Sequence, residues 1–288
     1  GKEATINENH ARELLELHTV SPKSGYDQED VIQMSYLMSG WRSKKDKEGK
    51  FSDVYFEPNI HQPGRKRILG LGYSEGKKGL TKVIRDLANN PSCREFIAMK
   101  LCRYLITDYP TKEMIKPIVD AWKKSDGYLP EVHKAAIEVA FDYSPMYKKF
   151  QNPENWFLQM VKMTGANIIP SAKKLDDYVL GNNINKSQKV LHILLKSIGH
   201  HPYLSKQPNG WSDISDDWMS PELLIRRLVY SKEIYNKIRK DNRSNDFYSE
   251  MILKNFDKPS QILKTLNKRK DPIDRHILLF NLPEVLKS

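Results

Sequence analysis

The first residues in the chain whose types and spacing could do chemistry are Asn9, Arg12, Glu13 and Glu16. At about 100° per residue on a helix, they share one sector about 100° wide. Glu13 and Glu16 lie one turn apart, a spacing that suits acid–base work or shared binding of a divalent metal. Arg12 could equally neutralise Glu8 or Glu16 at i±4 spacing, and the solvated face of an ordinary amphipathic helix carries the same pattern. His18 falls on the opposite side with Ala11, Leu14 and Leu15. That position predicts a hydrogen-bonded core histidine rather than a ligand.

A second cluster is the stretch HQPGRKRILGLGYSEGKKG, residues 61–79, which holds His61 and Lys66. Gly70 and Gly72 begin a dinucleotide fingerprint, but Glu75 stands where its third glycine belongs. Gly76-Lys77 imitates the end of a phosphate loop, yet the first glycine is misplaced and Lys78 replaces the Ser or Thr that holds magnesium. Both motifs are rejected. What remains is a glycine-rich turn before a helix N-terminus, flanked by Arg65, Lys66 and Arg67, where backbone N–H groups and the helix dipole can hold an anion. The alternative is that these glycines only shape the turn.

A third set lies in residues 199–219. His200, His201, Asp213, Asp216 and Asp217 are potential ligands, but HExxH, CxxC and EF-hand spacings are missing, so no metal centre and no cofactor is named. Trp211 and Trp218 could form a platform for a sugar or peptide. They could equally pin a long loop to the core, which is the preferred reading. No GxSxG elbow and no Cys–His arrangement offers a nucleophile.

The elements that must position these residues are mostly helical. Expected helices cover Glu8 to Thr19 with Asn7 as cap, a segment capped by Asp27 that runs to Trp41, and a stripe of Leu80, Val83, Ile84 and Leu87. Ser92 is expected to cap the next helix, and Pro117 to kink a later one around Met114–Trp122. Others are expected near 132–141, 153–164, 171–180, 186–198, 220–240, 244–256, 259–268 and 273–280. Phe51–Phe56, FSDVYF, is the strongest strand candidate and is expected to pair with the segment around Ile68 and Leu69, residues 42–50 being a charged loop. The fold expected is therefore a mainly α, multi-helix globular bundle with a small two-stranded β element near residues 51–70, in one domain over 1–288.

Composition narrows the class. The 288 residues are 39% hydrophobic and 29% charged, which is too apolar for a disordered chain. No apolar run approaches the roughly 20 residues of a membrane-spanning helix. Cys93 and Cys102 share one expected helix, about 13 Å apart on opposite faces, and cannot pair. Lys and Arg number 47 against 36 Asp and Glu, a formal charge of +11. This excess is spread along the chain among acids and comes with no helix-turn-helix, zinc-finger or RNP signature, which argues against nucleic acid as a partner.

The segment NENHARELLELHTVSPKSGYDQEDV resembles the NENxARELLELHTLG…YTQEDV motif of the bacterial domain-of-unknown-function 1800 family. The likeness continues through Gly40-Trp41, His61…Lys66…Leu69-Gly70, NPSCREFIAMKLCRYL, NPENWFLQMVKMTG and GHHPYLSKQPNGWSDISDDWMSPELLIRR. It departs at Ser21 and Pro22, near the usual Leu-Gly, and at His200, which replaces a Gln. The motif positions carried over are Asn7, Glu8, Asn9, Arg12, Glu13, Glu16, His18, His61, Lys66, Gly70, Arg94, Lys100, Trp211 and Trp218, and the resemblance gives none of them a catalytic role. Members are usually longer at the N-terminus, so the resemblance implies the C-terminal portion of a longer family domain. It further implies an exported or periplasmic protein with a sulfatase-like protein partner, although no signal peptide is visible.

Together these readings expect an exported or envelope-associated helical binding or accessory protein for an anionic or carbohydrate ligand or a protein partner. The ligand-binding candidates are Asn9, Arg12, Glu13, Glu16, His61, Lys66, Trp211 and Trp218. One alternative is a hydrolase using Glu13 and Glu16 with His61, with or without a metal. Another is a basic nucleic-acid-binding protein, whose affinity would fall steeply with salt.

Overall fold

Asn7 begins the first helix as expected: its side chain accepts the backbone N–H of His10 at 3.0 Å, and α1 spans Glu8–Glu16. Asp27 does the same for α2, Gln28–Met38, where Asp27 and Asp30 form a reciprocal capping box. The computed structural model describes residues 6–166, 193–201, 204–240, 251–254 and 256–287. The chain divides into two compact units, Gly1–Met146 and Tyr147–Ser288.

In the first unit α1 packs on α2, and two antiparallel hairpins follow. Strand β1, Trp41–Lys45, pairs with β2, Phe51–Phe56, and β3, Lys66–Ile68, pairs with β4, Leu71–Tyr73. The expected pairing of Phe51–Phe56 with the Ile68 segment is thus corrected. Its partner is the charged stretch read as a loop. That strand is exposed along its whole length, so it carries none of the polar–apolar alternation by which a half-buried strand is recognised.

Helices α3, Gly76–Ala88, α4, Pro91–Leu105, α5, Lys112–Lys124, and α6, Leu129–Tyr143, complete the unit. α4 is capped by Asn90 rather than Ser92, whose N–H is the one that Asn90 receives at 2.9 Å. α5 runs on through Pro117. Cys93 and Cys102 are both free and buried on opposite faces of α4, and burial pushes each thiol up to about 11. Ala11, Leu15, Val31, Met34, Leu37, Ile68, Tyr73, Val83 and Leu87 form the core beneath α1, α2 and the second hairpin. Gly79 lets this core close, because a Cβ there would stand 1.7 Å from the Ser74 carbonyl oxygen.

In the second unit α7, Pro153–Thr164, α8, Pro221–Lys240, α9, Pro259–Leu266, and α10, Pro272–Phe280, surround Trp156, Phe157, Met160, Ile234, Leu279 and Phe280. A short helix, Pro283–Leu286, ends the described chain. Residues 193–197 and 251–254 are helical. The expected helix at 171–180 lies outside the described residues, as do most of those at 186–198 and 244–256. The architecture is mainly α with two small β hairpins, and no helix among the described residues is long and apolar enough to cross a membrane.

Candidate functional site

α1 ends at Glu16, one turn earlier than its periodicity suggests, and this sets the fate of its polar face. Leu17 caps the helix, and His18 leaves the helical path and is exposed, so the core histidine expected there is not one. Asn9 is exposed, while Arg12, Glu13 and Glu16 are half-buried. Arg12 Nη2 donates to Gln28 Oε1, whose Nε2 donates to Glu8 Oε2 at 2.9 Å, and Tyr26 OH donates to Glu16 Oε2 at 3.4 Å. Burial, then the Glu16 carboxylate, raises the Tyr26 phenol. The sector is therefore a polar seam between α1 and the start of α2.

His61 and Lys66 are held by backbone. His61 Nδ1 stands 2.8 Å from the Ser39 carbonyl oxygen, and its Nε2 accepts the Gly76 N–H at 3.0 Å. Those partners fix the Nδ1–H tautomer and occupy both ring nitrogens. Lys66 is only 4% exposed. Its ammonium donates to three carbonyls, those of Gln62 at 2.9 Å, Pro63 at 2.8 Å and Gly64 at 2.6 Å. All three of its hydrogens are used. Burial lowers its pKa and the Glu75 carboxylate opposes the shift. The cation closes the 62–64 loop from inside.

Between α2 and the β3–β4 hairpin lies a groove of about 650 Å³, within the range of small-molecule sites. Asp27, Glu29, Asp30 and Gln33 of α2 face Arg65, Lys66, Arg67, Gly70 and Gly72 of the hairpin. One carboxylate builds it. Asp30 Oδ2 accepts the Asp27 N–H at 3.2 Å, and its Oδ1 accepts the Leu69 N–H at 2.7 Å. Leu69 and Gly70 form the two-residue turn with φ of 47° and 77°, a left-handed pair that costs a bulky residue about 1 kcal/mol. The Asp30 bond and the packing of Leu69 on the core hold it there. On the rim, Arg65 and Arg67 are exposed and form no hydrogen bond or ion pair among the described residues. Arg65 Nη2 lies over Gly72, 3.3 Å from where a Cβ would stand.

Trp211 and Trp218 belong to the second unit. Trp211 Nε1 donates to the His201 carbonyl at 2.7 Å and Trp218 Nε1 to the Ser212 carbonyl at 3.0 Å. Both rings pack edge-on around His200, with centroids 5.2 and 5.0 Å away. Their polar edges are spent on loop carbonyls, which is the geometry of pinning. Burial, then His201, lowers His200 to about 4, so its 3.7 Å approach to Glu154 is no ion pair at neutral pH. Burial raises the Glu154 carboxyl.

The groove thus gathers Lys66 from the expected set, together with Gly70 and the flanking arginines. The seam holds Arg12 and Glu16, and the aromatic cluster holds the tryptophans. Sequence reading missed Glu29, Asp30 and Gln33 as groove residues. Asp30 sits in the first turn of α2, and nothing local in the sequence says that its second oxygen reaches residue 69. Among the described residues, no group of three or more His, Cys, Asp or Glu side chains is placed to hold a metal ion.

These features define a mainly helical protein whose first unit carries a mixed-charge groove under a two-stranded hairpin. The chain belongs to the family described as protein of unknown function (DUF1800), whose model matches residues 1–279. No curated protein and no solved structure matches it.

Proposed function

We propose that the chain is a binding or accessory protein and that the α2–hairpin groove takes an anionic, hydroxyl-rich ligand such as an acidic oligosaccharide. The observation that carries this reading is the pair Arg65 and Arg67, which rim the groove without any ion-pair partner among the described residues. Two such guanidinium groups offer bidentate donors to a carboxylate, sulfate or phosphate. Across the groove, Asp27, Glu29 and Gln33 supply acceptors for hydroxyl groups. The hydrolase alternative needs His61 as a base beside Glu13 and Glu16, and both ring nitrogens of His61 are engaged by backbone. Export and a sulfatase-like protein partner are supported by the family resemblance alone, and cell fractionation followed by affinity capture tests them.

Calorimetric titration with uronate and sulfated oligosaccharides tests the groove. One saturable site, lost in Arg65→Ala/Arg67→Ala and weakened in Asp27→Asn, is the expected result. Binding that survives both arginine substitutions contradicts the assignment.

A further inference from the structure

The β1–β2 hairpin has no counterpart in the groove and is built differently from β3–β4. Its root is fixed. The Glu57 N–H donates to the Gly40 carbonyl at 2.7 Å, Phe56 packs on the His61 ring at 5.3 Å, and Lys77 Nζ sits 5.7 Å from Trp41 and 5.9 Å from Phe56. Beyond that root the ribbon is exposed on both faces. Strand alternation sorts its side chains. The pairs Trp41↔Phe56 and Ser43↔Val54 share one face, and after the irregularity at Lys44/Lys45 the pair Lys45↔Phe51 continues it. Arg42↔Tyr55 and Lys44↔Asp53 occupy the other.

The result is an amphipathic ribbon whose apolar side, beyond the Trp41–Phe56 root, is left exposed by the described residues. Phe51 is 68% exposed, Val54 54% and Trp41 40%. Residues 41–56 carry five cations, Arg42, Lys44, Lys45, Lys47 and Lys50, against Asp46, Glu48 and Asp53. Asp46 accepts the backbone N–H groups of Glu48 and Lys50 in the turn, and Glu48 pairs with Lys50 at 2.9 Å. Arg42, Lys44, Lys45 and Lys47 have no ion-pair partner among the described residues.

We infer that this ribbon docks on an anionic lipid surface, with Phe51 and Val54 entering the boundary between headgroups and acyl chains and Arg42, Lys44, Lys45 and Lys47 facing lipid phosphates. Aromatic residues beside lysines match that boundary, where one side of an element is apolar and its flanks meet negative charge. A strand-adding peptide or a second copy fits less well. Charged side chains and the irregularity at Lys44/Lys45 are the features by which sheet edges resist further pairing. Nucleic acid would use a row of stacking rings along the cationic face, where Tyr55 is the single ring among the paired residues, whereas Trp41, Phe51 and Val54 lie on the other side. The inference is independent of the groove.

Flotation of the full chain with vesicles tests it, comparing mixed phosphatidylglycerol–phosphatidylcholine with phosphatidylcholine alone. Recovery with the anionic vesicles, falling as salt is raised, is expected. Phe51→Ser/Val54→Ser should lower the partition coefficient more than about tenfold, and Lys44→Ala/Lys45→Ala should also lower it. Both variants change exposed side chains, so far-UV circular dichroism and melting temperature should stay at the parent values. Failure to float with anionic vesicles, equal flotation with neutral ones, or full flotation of the Phe51/Val54 variant with its fold intact would each overturn the inference.

Discussion

Lys66 in the first unit and Arg227 in the second are both cations withdrawn from water, and the two units treat them in opposite ways. Every ammonium hydrogen of Lys66 meets a loop carbonyl. Arg227 is fully buried and donates through Nη2 to the Gln151 carbonyl, while its Nε and Nη1 find no hydrogen-bond partner among the described residues. It lies instead against Phe150 at 4.6 Å and Trp156 at 5.6 Å, and burial lowers it to about 10. His276 is likewise fully buried, beside Phe280 at 3.9 Å. In the first unit buried polarity fastens backbone and shapes a rim. In the second it sits inside aromatic packing, where volume matters more than charge.

Arg227 offers the largest break in that contrast. Arg227→Ala removes a long buried stem and two ring contacts and should cost about 3–5 kcal/mol in chemical denaturation. Arg227→Met keeps the volume and removes the buried charge, so it should stay within about 1 kcal/mol of the parent or exceed it. Equal losses in both would mean that the Gln151 bond, and not packing, carries the site.

Acid should sharpen the contrast. Burial holds His200 at about 4 and His276 at about 3, both below the ordinary 6.5 of the unfolded chain. The unfolded chain therefore binds protons that the folded chain does not, and the stability present above pH 6.5 is lost as pH falls through 4 and then 3. At about 1.4 kcal/mol per pKa unit, the His200 share is about 3 kcal/mol. Once Trp41 and Trp122 of the first unit are replaced by Phe, Trp156, Trp211 and Trp218 report the second unit by fluorescence. The pH-dependent part of its loss should shrink in His200→Phe, and an unchanged profile in that variant would remove His200 from the account.

The first unit gives smaller effects. Asp30→Ala breaks both the capping box and the Leu69 tie and should cost about 2 kcal/mol, with Asp30→Asn intermediate because one acceptor oxygen remains. Arg65→Ala/Arg67→Ala should alter stability by less than about 0.5 kcal/mol, since exposed side chains without partners support no fold.

Helices were legible wherever an apolar stripe met a cap, as at Asn7 and Asp27, because both signals are local. The end of α1 was not, since His18 continues the stripe of Ala11, Leu14 and Leu15 past the turn that stops it. β1 was hidden because an exposed strand needs no apolar face. His61 and Lys66 stood out by type, yet the bonds of His61 to Ser39 and Gly76 depend on tertiary closure, and those of Lys66 depend on how the 62–64 loop curls around it. The groove shares the reason that holds for His61: its α2 wall is more than thirty residues from its turn, and the hydrogen bond that ties the two, Asp30 to Leu69, comes with their packing on a common core.

Hydrogen–deuterium exchange of the full chain with and without a uronate or sulfated oligosaccharide tests the groove most directly. Slower exchange confined to residues 27–33 and 64–73, and cancelled in Arg65→Ala/Arg67→Ala, is the result predicted. Protection centred on Trp211 and Trp218, or protection at the groove that the arginine variant retains, would contradict it.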